Sequence, residues 1–537
     1  MKRVAVFAAL VLVPVAIPAQ DGQQASPTIQ VATRLVQINV VARDRSGPVS
    51  TLTKDDFSVT DQGKPQTISV FSIESTPGDN LAAEPPRGEF SNLVSRNGAA
   101  QPGVTILLLD NLNTLVGAGA EPYETSPTWL EEHALANAKN HLLEYLKGLD
   151  PNERVAIYSL TDELHVLCDF TGDRAQLLAV VEKFDATSKS RREEVEPGST
   201  HTPVPGRFNQ SINQERLILA GMKNQDRART TMDALRAIAS HVAGVPGRKN
   251  LIWLTANLPY SGTAIARMMA PAQIALYPVD ARGLLPRSEL SKAMTEGIDA
   301  DDVARGRGTM PAETSQPIGI DAMLKMADAT GGRAFTNTND LTGAIRHAVE
   351  DAEVSYTLGF YVEKAALDDK LHEIKVKVKR GGVEVRYPKS YFASKADPVA
   401  ESGNLTRALA MQSPLESSAI VMRANIARGG GTAANALKVA AIVDIREMRL
   451  TPEDGVRKGS FDIYFVQEDI RGKVIDSAEE RVNLNLNDAQ YDADLGTGVR
   501  CDESVTLLPE ATSLRLLVQD RGSSKIGTII VPVAEIK

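Results

Sequence analysis

Val104-Thr105-Ile106-Leu107-Leu108-Leu109-Asp110-Asn111-Leu112-Asn113-Thr114 is the stretch that decides the fold. Val104 to Leu109 is a near-continuous apolar run without alternation, the pattern of a strand buried on both faces of a parallel sheet. It ends abruptly on Asp110 and a polar turn. A helix should follow, because Ser126 and Pro127 suit an N-cap and first turn, and Leu135, Ala138, Leu142, Leu146 and Leu149 repeat at three and four. The same alternation continues. Arg154 to Leu160 reads as a buried strand, with Leu164 to Asp169 able to pair as a hairpin, and Asp173 caps a short helix through Leu177 and Val181. Met232, Leu235, Ile238, Ala239 and Val242 form a helical stripe stopped by Pro246-Gly247, and Asn250 to Leu254 and Ile274 to Val279 are further strands. A helix from Asp321 to Ala329, the turn Gly331-Gly332 and a last helix capped by Asn339 complete the series. Two polar stretches, 186–214 with its Pro and Gly residues and 284–317, interrupt it as exposed loops.

Strands alternating with helices over about 250 residues call for a Rossmann-like open sheet covered on both faces. The fold class expected is therefore α/β plus all-β, with the α/β domain at 103–352. On either side the period changes to two. Val36, Ile38, Val40 and Ala42 fall on one face of a strand, and a hairpin turns at Gly63. Residues 354–392 show the same short alternating strands, so 28–76 and 353–395 should form one β domain with the α/β domain inserted between them. Residues 77–102 and 396–436 read as linkers, and the turn spacing across 437–537 reads as a C-terminal β-sandwich.

The chain has 537 residues, which suggests about three domains. It begins with Lys2 and Arg3 before an apolar run from Val4 to Ala16, broken by Pro14 and Pro18, and cleavage after Ala19 fits a signal peptide at 1–19. The expected location is thus secreted or periplasmic, with an uncleaved N-terminal anchor as the alternative and no later membrane span. Net charge is −9 and no Lys/Arg block stands out beyond Lys375 to Arg380, so nucleic acid is not the expected partner. Two cysteines, Cys168 and Cys501, exclude a disulfide framework; they are two buried thiols or a single bridge.

The loop leaving the first buried strand is where an open α/β sheet binds ligands. There, Asp110-Asn111-Leu112-Asn113-Thr114 resembles the Asp-x-Ser-x-Ser motif of the von Willebrand factor type A family. Arg154 to Ser159, Gly247 to Leu254 and Thr330 to Phe335 extend the likeness. With Lys54 to Val59 and Tyr356 to Phe360, residues 30 to 395 resemble the VWFA-related proteins of the Acidobacteria type. The resemblance implies a bound Mg²⁺ or Mn²⁺ whose open position takes a partner's carboxylate. Asp110 and Thr114 occupy ligand positions of that motif, and Thr230 or Thr231 lies near the family's Thr ligand.

Departures from the motif are specific. Leu112 stands where an oxygen ligand should be, and Ala256 or Asn257 where another Asp should be, so the site is degenerate and octahedral Mg²⁺ coordination is weakened. The alternative is that Asp110 caps the following turn and accepts N–H bonds. His133 and His141 lack zinc-site spacing, and neither a nucleophile elbow nor a phosphate loop occurs. Trp129 and Trp253 are expected to pack in the core. The function expected is an exported protein-binding or adhesion-type module without catalysis; a structural or assembly component of the envelope is the alternative. A hydrolase would need a pocket lined by His165, Asp162 and a hydroxyl.

Overall fold

The computed structural model describes residues 33–75, 88–93, 103–114, 128–150, 153–185, 208–256, 258, 262–283, 320–363, 366–395, 403–429, 435–453 and 455–536. The signal peptide expected at 1–19, the loop at 284–317 and most of the polar insertion at 186–214 lie outside the described residues.

Alternating strands open the chain: β1 (Thr33–Asp44), β2 (Gly47–Pro48), β3 (Phe57–Asp61), β4 (Lys64–Gln66), β5 (Val70–Ser75) and the short β6 (Glu89–Ser91). The central unit follows with β7 (Val104–Asp110), the single turn α1 (Asn111–Thr114), α2 (Thr128–Lys147), β8 (Val155–Leu160), β9 (Leu164–Thr171), α3 (Arg174–Lys183), α4 (Phe208–His241), β10 (Lys249–Thr255), α5 (Gly262–Met269) and β11 (Ile274–Asp280). Helices Ile320–Thr330 and Leu341–Glu350 end it. Its sheet has the order β11-β10-β7-β8-β9, parallel except for β9.

Every residue of β7, β8, β10 and β11 is buried, as a sheet covered on both faces requires. The strand period of two sorts their side chains. Leu107 and Leu109 pack with α2, α3 and Leu341–Glu350, whereas Ile106 and Leu108 pack with α4, α5 and Ile320–Thr330.

Then come β12 (Val354–Glu363), β13 (Leu371–Val378), β14 (Glu384–Arg386) and β15 (Ser390–Phe392). β1 pairs antiparallel with β12 from Thr33↔Glu363 to Val40↔Tyr356, and β12 pairs with β5. β13 pairs with β3, and the two sheets share one core around Tyr356, Phe360 and Val59. The central unit is held by its amino-terminal edge. Asp351, fully buried, accepts from Arg43 of β1 (3.1 Å), Arg386 of β14 (2.7 Å) and the Tyr277 hydroxyl of β11 (2.8 Å). Arg248, at the start of β10, reaches the same Tyr277 hydroxyl at 2.9 Å.

The last part contains a helix Gly403–Gln412, then β16 (Met422–Arg428), β17 (Ala436–Val443), β18 (Thr451–Glu453), β19 (Val456–Glu468), β20 (Val474–Leu486), a helix Asp488–Thr497, β21 (Val499–Thr506), β22 (Ser513–Asp520) and β23 (Ile526–Pro532). One sheet runs β21-β17-β16-β6, the other β18-β19-β22-β23 with β20 on β19. Both contribute to one cluster that includes Ile426, Val439, Phe465 and Leu516. The molecule is thus mixed α/β and rich in sheet, and among the described residues no helix is long and apolar enough to cross a membrane.

Several segments differ from the sequence reading. The stretch 77–102, read as a linker, contains β6, which pairs with β16 at Asn425↔Glu89. The stretch 396–436 contains a helix and β16. Local pattern cannot reveal a three-residue strand whose partner lies in the far part of the chain. α4 begins at Phe208, inside the polar insertion: its Gln and Asn residues resemble a loop, but a packed stripe further on lets the helix propagate backward. Asp488–Thr497 starts with a capping box of Asn487 and Gln490, and the cap of Leu341–Glu350 is Asp340, one residue after the expected Asn339.

Candidate functional site

β7 carries Asp110 to the carboxyl edge of the central sheet and α1 turns the chain immediately after it. The carboxylate is fully buried. Its Oδ1 accepts the backbone N–H of Asn113 at 2.9 Å, as an Asp at the start of a helical turn does. Its Oδ2 accepts the Asn113 side-chain Nδ2 at 2.8 Å and the Trp253 indole Nε1 at 2.8 Å. Burial pushes the Asp110 pKa up to about 6, against the opposing effect of hydrogen bonds from Asn113, Trp253 and Thr255.

The neighbouring residues extend the network. Asn113 donates a second bond from Nδ2 to Thr231 Oγ1 at 3.0 Å, and Thr231 in turn donates to the Arg227 carbonyl. Thr231, fully buried on α4, is therefore the threonine of the pair that reaches this site, while Thr230 lines a cleft elsewhere. Thr114 Oγ1 accepts the backbone N–H of Ala256 at 3.0 Å, and Leu112 is buried in the hydrophobic cluster beneath α4 and α5.

This donor set does not fit Mg²⁺ or Mn²⁺. Both cations take oxygen lone pairs, whereas the Asp110 lone pairs already face N–H hydrogens that would point at a cation. Thr114 spends its oxygen on a backbone amide, and Leu112 has none. Among the described residues no three His, Cys, Asp or Glu side chains gather into a metal-binding group. Trp253 was legible only as a core residue, although a buried indole N–H needs an acceptor, and the Asp at the end of the neighbouring strand is the natural one.

A second buried carboxylate stands at the same edge. Asp280, at the end of β11, is 1% exposed and takes both Nε (2.8 Å) and Nη2 (2.9 Å) of Arg282. One carboxylate is met by neutral donors and the other by a guanidinium.

His165, Asp162 and Thr161 do come together on the hairpin between β8 and β9, in the wrong order for nucleophilic catalysis. Thr161 Oγ1 donates to Asp162 Oδ1 (3.0 Å), and His165 Nε2 faces both Thr161 Oγ1 (2.9 Å) and Asp162 Oδ1 (4.0 Å). A base must stand between hydroxyl and acid, using one ring nitrogen for each.

The cleft that His165 borders, of about 1390 Å³, lies between α4, the amino-terminal end of β10 and the chain after Gly403–Gln412. Its wall is tied across units by residues 416–418. Ser418 N donates to the Ser240 carbonyl (2.9 Å) and Ser417 Oγ to the Ile526 carbonyl (2.6 Å), while Asn92 bonds Ser417 and Ile420. His241 is buried at this junction, with Nδ1 on the Glu416 carbonyl (2.6 Å) and Nε2 on Asp169 Oδ1 (3.2 Å). Both ring nitrogens face acceptors, an arrangement that favours the doubly protonated imidazolium. Burial disfavours that charge, yet the Asp169 bond and charge outweigh it and raise the pKa. Cys168 and Cys501 are free, buried thiols.

No family model and no curated protein matches the chain. Solved structures similar to it include an aerotolerance-related membrane protein from Bacteroides fragilis, at 13% identity over 46% of this chain and 98% of that one, with a TM-score of 0.25. A von Willebrand factor type A structure from Catenulispora acidiphila is 12% identical over 65% of this chain and 81% of that one, with a TM-score of 0.26. The ArnB paralog VWA2 from Sulfolobus acidocaldarius is 10% identical over 89% and 76%, with a TM-score of 0.21. Identities and TM-scores at this level carry no function across.

Proposed function

We propose that this chain is an exported protein-binding module of the adhesion or assembly type, with a von Willebrand factor A-like central domain, a C-terminal β-sandwich and no catalytic step. Supporting this reading is the way the central sheet is mounted. Its amino-terminal edge is tied to the flanking sheets through Asp351, Arg43, Arg386 and Tyr277, and by Gln273 of the turn before β11, which bonds Gln37 at 3.0 Å. Its carboxyl edge, where Asp110 and Asp280 end their strands, is turned away from that anchorage. A rigid mount at one edge with ligand-bearing loops at the other is how an open α/β sheet presents a recognition face. Asp110 acts there as a fastening between β7, α1 and β10, and recognition on this reading runs without a resident metal.

The basic n-region and apolar run before Ala19 motivate the export part of the proposal. A fusion of residues 1–30 to an export-dependent reporter should be active, and no activity would remove that part. The binding part is tested in cells of the source organism with a photo-crosslinking residue at Glu163, on the hairpin at the carboxyl edge, and another at Ser477 of β20. A discrete adduct with a second protein from either position is expected. No adduct from either position overturns the reading.

A further inference from the structure

The proposed binding function leaves open which surface takes a partner and what that partner looks like, and β20 answers both. β20 runs thirteen residues and pairs on one side with β19 from Arg457↔Leu486 to Glu468↔Val474, with an irregularity at Gln467/Glu468. On its other side no strand is present among the described residues. Strands average about five to six residues, and native proteins shorten, bulge or cover their edges because an open edge is a template for another chain. β20 is long and largely uncovered, with each residue from Asp476 to Arg481 exposed. Roughly half of its backbone groups, about six N–H and six C=O, face outward because ladder bonds alternate in direction along a strand.

Its charge selects what can pair there. Asp476, Glu479 and Glu480 lie on the strand, and Glu503 of β21 lies against Glu480, close enough that the two carboxyl groups hydrogen-bond and the Glu480 pKa rises. The basic groups nearby are engaged: Arg481 bonds Asp462 at 2.7 Å and Arg500 bonds Asp502 at 2.9 Å. A second copy pairing antiparallel with Glu479 opposite Glu480 would set like charges about 5 Å apart, which is unfavourable. A cationic strand would relieve them.

We propose that β20 is a docking edge that adds one extended, basic segment of a partner protein to the sheet, with Lys or Arg at alternate positions on the face that carries Asp476 and Glu480, beside Glu503. This rests on the binding-module reading and specifies it. Backbone hydrogen bonds would give the affinity, and the alternating side chains the selectivity.

The test uses the full chain and a fluorescent nine-residue peptide of alternating Lys and Thr, read by anisotropy at low and moderate salt. Saturable binding is expected. It should fall at least tenfold for Glu480→Lys, and at least tenfold for a peptide of equal charge with Pro at its centre, while a Glu/Thr peptide should not bind. Ser477→Pro, removing an outward N–H and blocking the edge from the protein side, should match the Pro peptide; its thermal melt and that of Glu480→Lys report folding, and the peptide-side changes decide the matter if Ser477→Pro unfolds. Equal binding of the Pro-containing peptide would reduce the effect to charge alone and overturn the proposal, as would no binding by the Lys/Thr peptide. An adduct from Glu163 in the crosslinking experiment together with no peptide binding would sink the edge while sparing the binding module. No adduct from either position would sink the module itself.

Discussion

The Trp253 indole on β10 donates to Asp110 Oδ2 across 2.8 Å, joining two neighbouring strands of the central sheet at their carboxyl edge. The bond places a neutral donor where the sequence motif implied a cation.

The Asp110 carboxylate makes stability depend on pH in a definite direction. Its native pKa of about 6 exceeds the ordinary 3.8, so the native state holds more protons than the unfolded chain between those values. Stability therefore falls as pH rises from about 4 to 6 and is level above that, by about 3 kcal/mol at 1.36 kcal/mol per unit. Asp110→Asn should abolish this contribution to the slope. Urea midpoints of the two proteins at pH 4.5, 5.5 and 7 measure it, and parallel slopes would refute the assignment.

Calorimetric titration of Mg²⁺, Mn²⁺ and Ca²⁺ should give no heat that distinguishes the native chain from Asp110→Ala. Trp253→Phe, which removes one donor from a buried carboxylate, should cost about 1–3 kcal/mol of stability in denaturant unfolding. Saturable metal binding lost in Asp110→Ala would restore the ligand role of Asp110 and Thr114.

Asp351 carries the anchorage of the central unit. Asp351→Ala leaves Arg43, Arg386 and the Tyr277 hydroxyl without their buried acceptor and should cost about 3–5 kcal/mol. Arg386→Ala, whose side chain is 27% exposed, should cost less. Chemical denaturation of each variant supplies the comparison, and equal small losses would mean the network is not what fixes the mount.

The junction at His241 should loosen above neutral pH. The raised His241 pKa contributes stability that is complete below the unfolded value of about 6.5 and lost as pH rises through the folded value. Glu416, pushed up from 4.5 to about 7 chiefly by burial, acts in the same sense at lower pH, since its share is complete below about 4.5 and lost as pH rises to about 7. Asp169 is depressed, burial being outweighed by the His241 bond, so its share is lost only in acid. Hydrogen exchange across 413–421, corrected for its intrinsic pH dependence, should quicken from pH 6 to pH 8. His241→Gln should reduce that change.

The α/β core was legible because its signals are local and redundant. Val104 to Leu109 and Ile274 to Val279 are apolar runs of strand length bounded by turns, and the Leu135-Leu142-Leu149 stripe keeps a helical period. β6 escaped because three residues carry no period and its pairing is supplied by distant β16. At the site, Asp110 was visible as the end of a strand and Leu112 as a missing ligand. Trp253, which occupies the carboxylate instead, was not visible as its partner, because it reaches Asp110 only through the pairing of β7 with β10, and Thr231 reaches Asn113 only through the packing of α4. His241 and Glu416 gave no signal either, as their meeting depends on residues 416–418 crossing between units.

The pairing of Glu89 with Asn425 also bears on the order in which the molecule can be completed. β6 precedes the whole central unit, while its partner β16 (Met422–Arg428) comes after that unit, so a chain emerging amino-terminus first holds an unmatched edge until most of it is available. Contacts this far apart in sequence are slow to form and leave sticky intermediates. A carboxyl-terminal truncation before β16 would therefore strand β6 in addition to deleting the two carboxyl-terminal sheets, and a holding chaperone that protects the early segments would be expected to raise the yield of the full chain more than that of an isolated central unit.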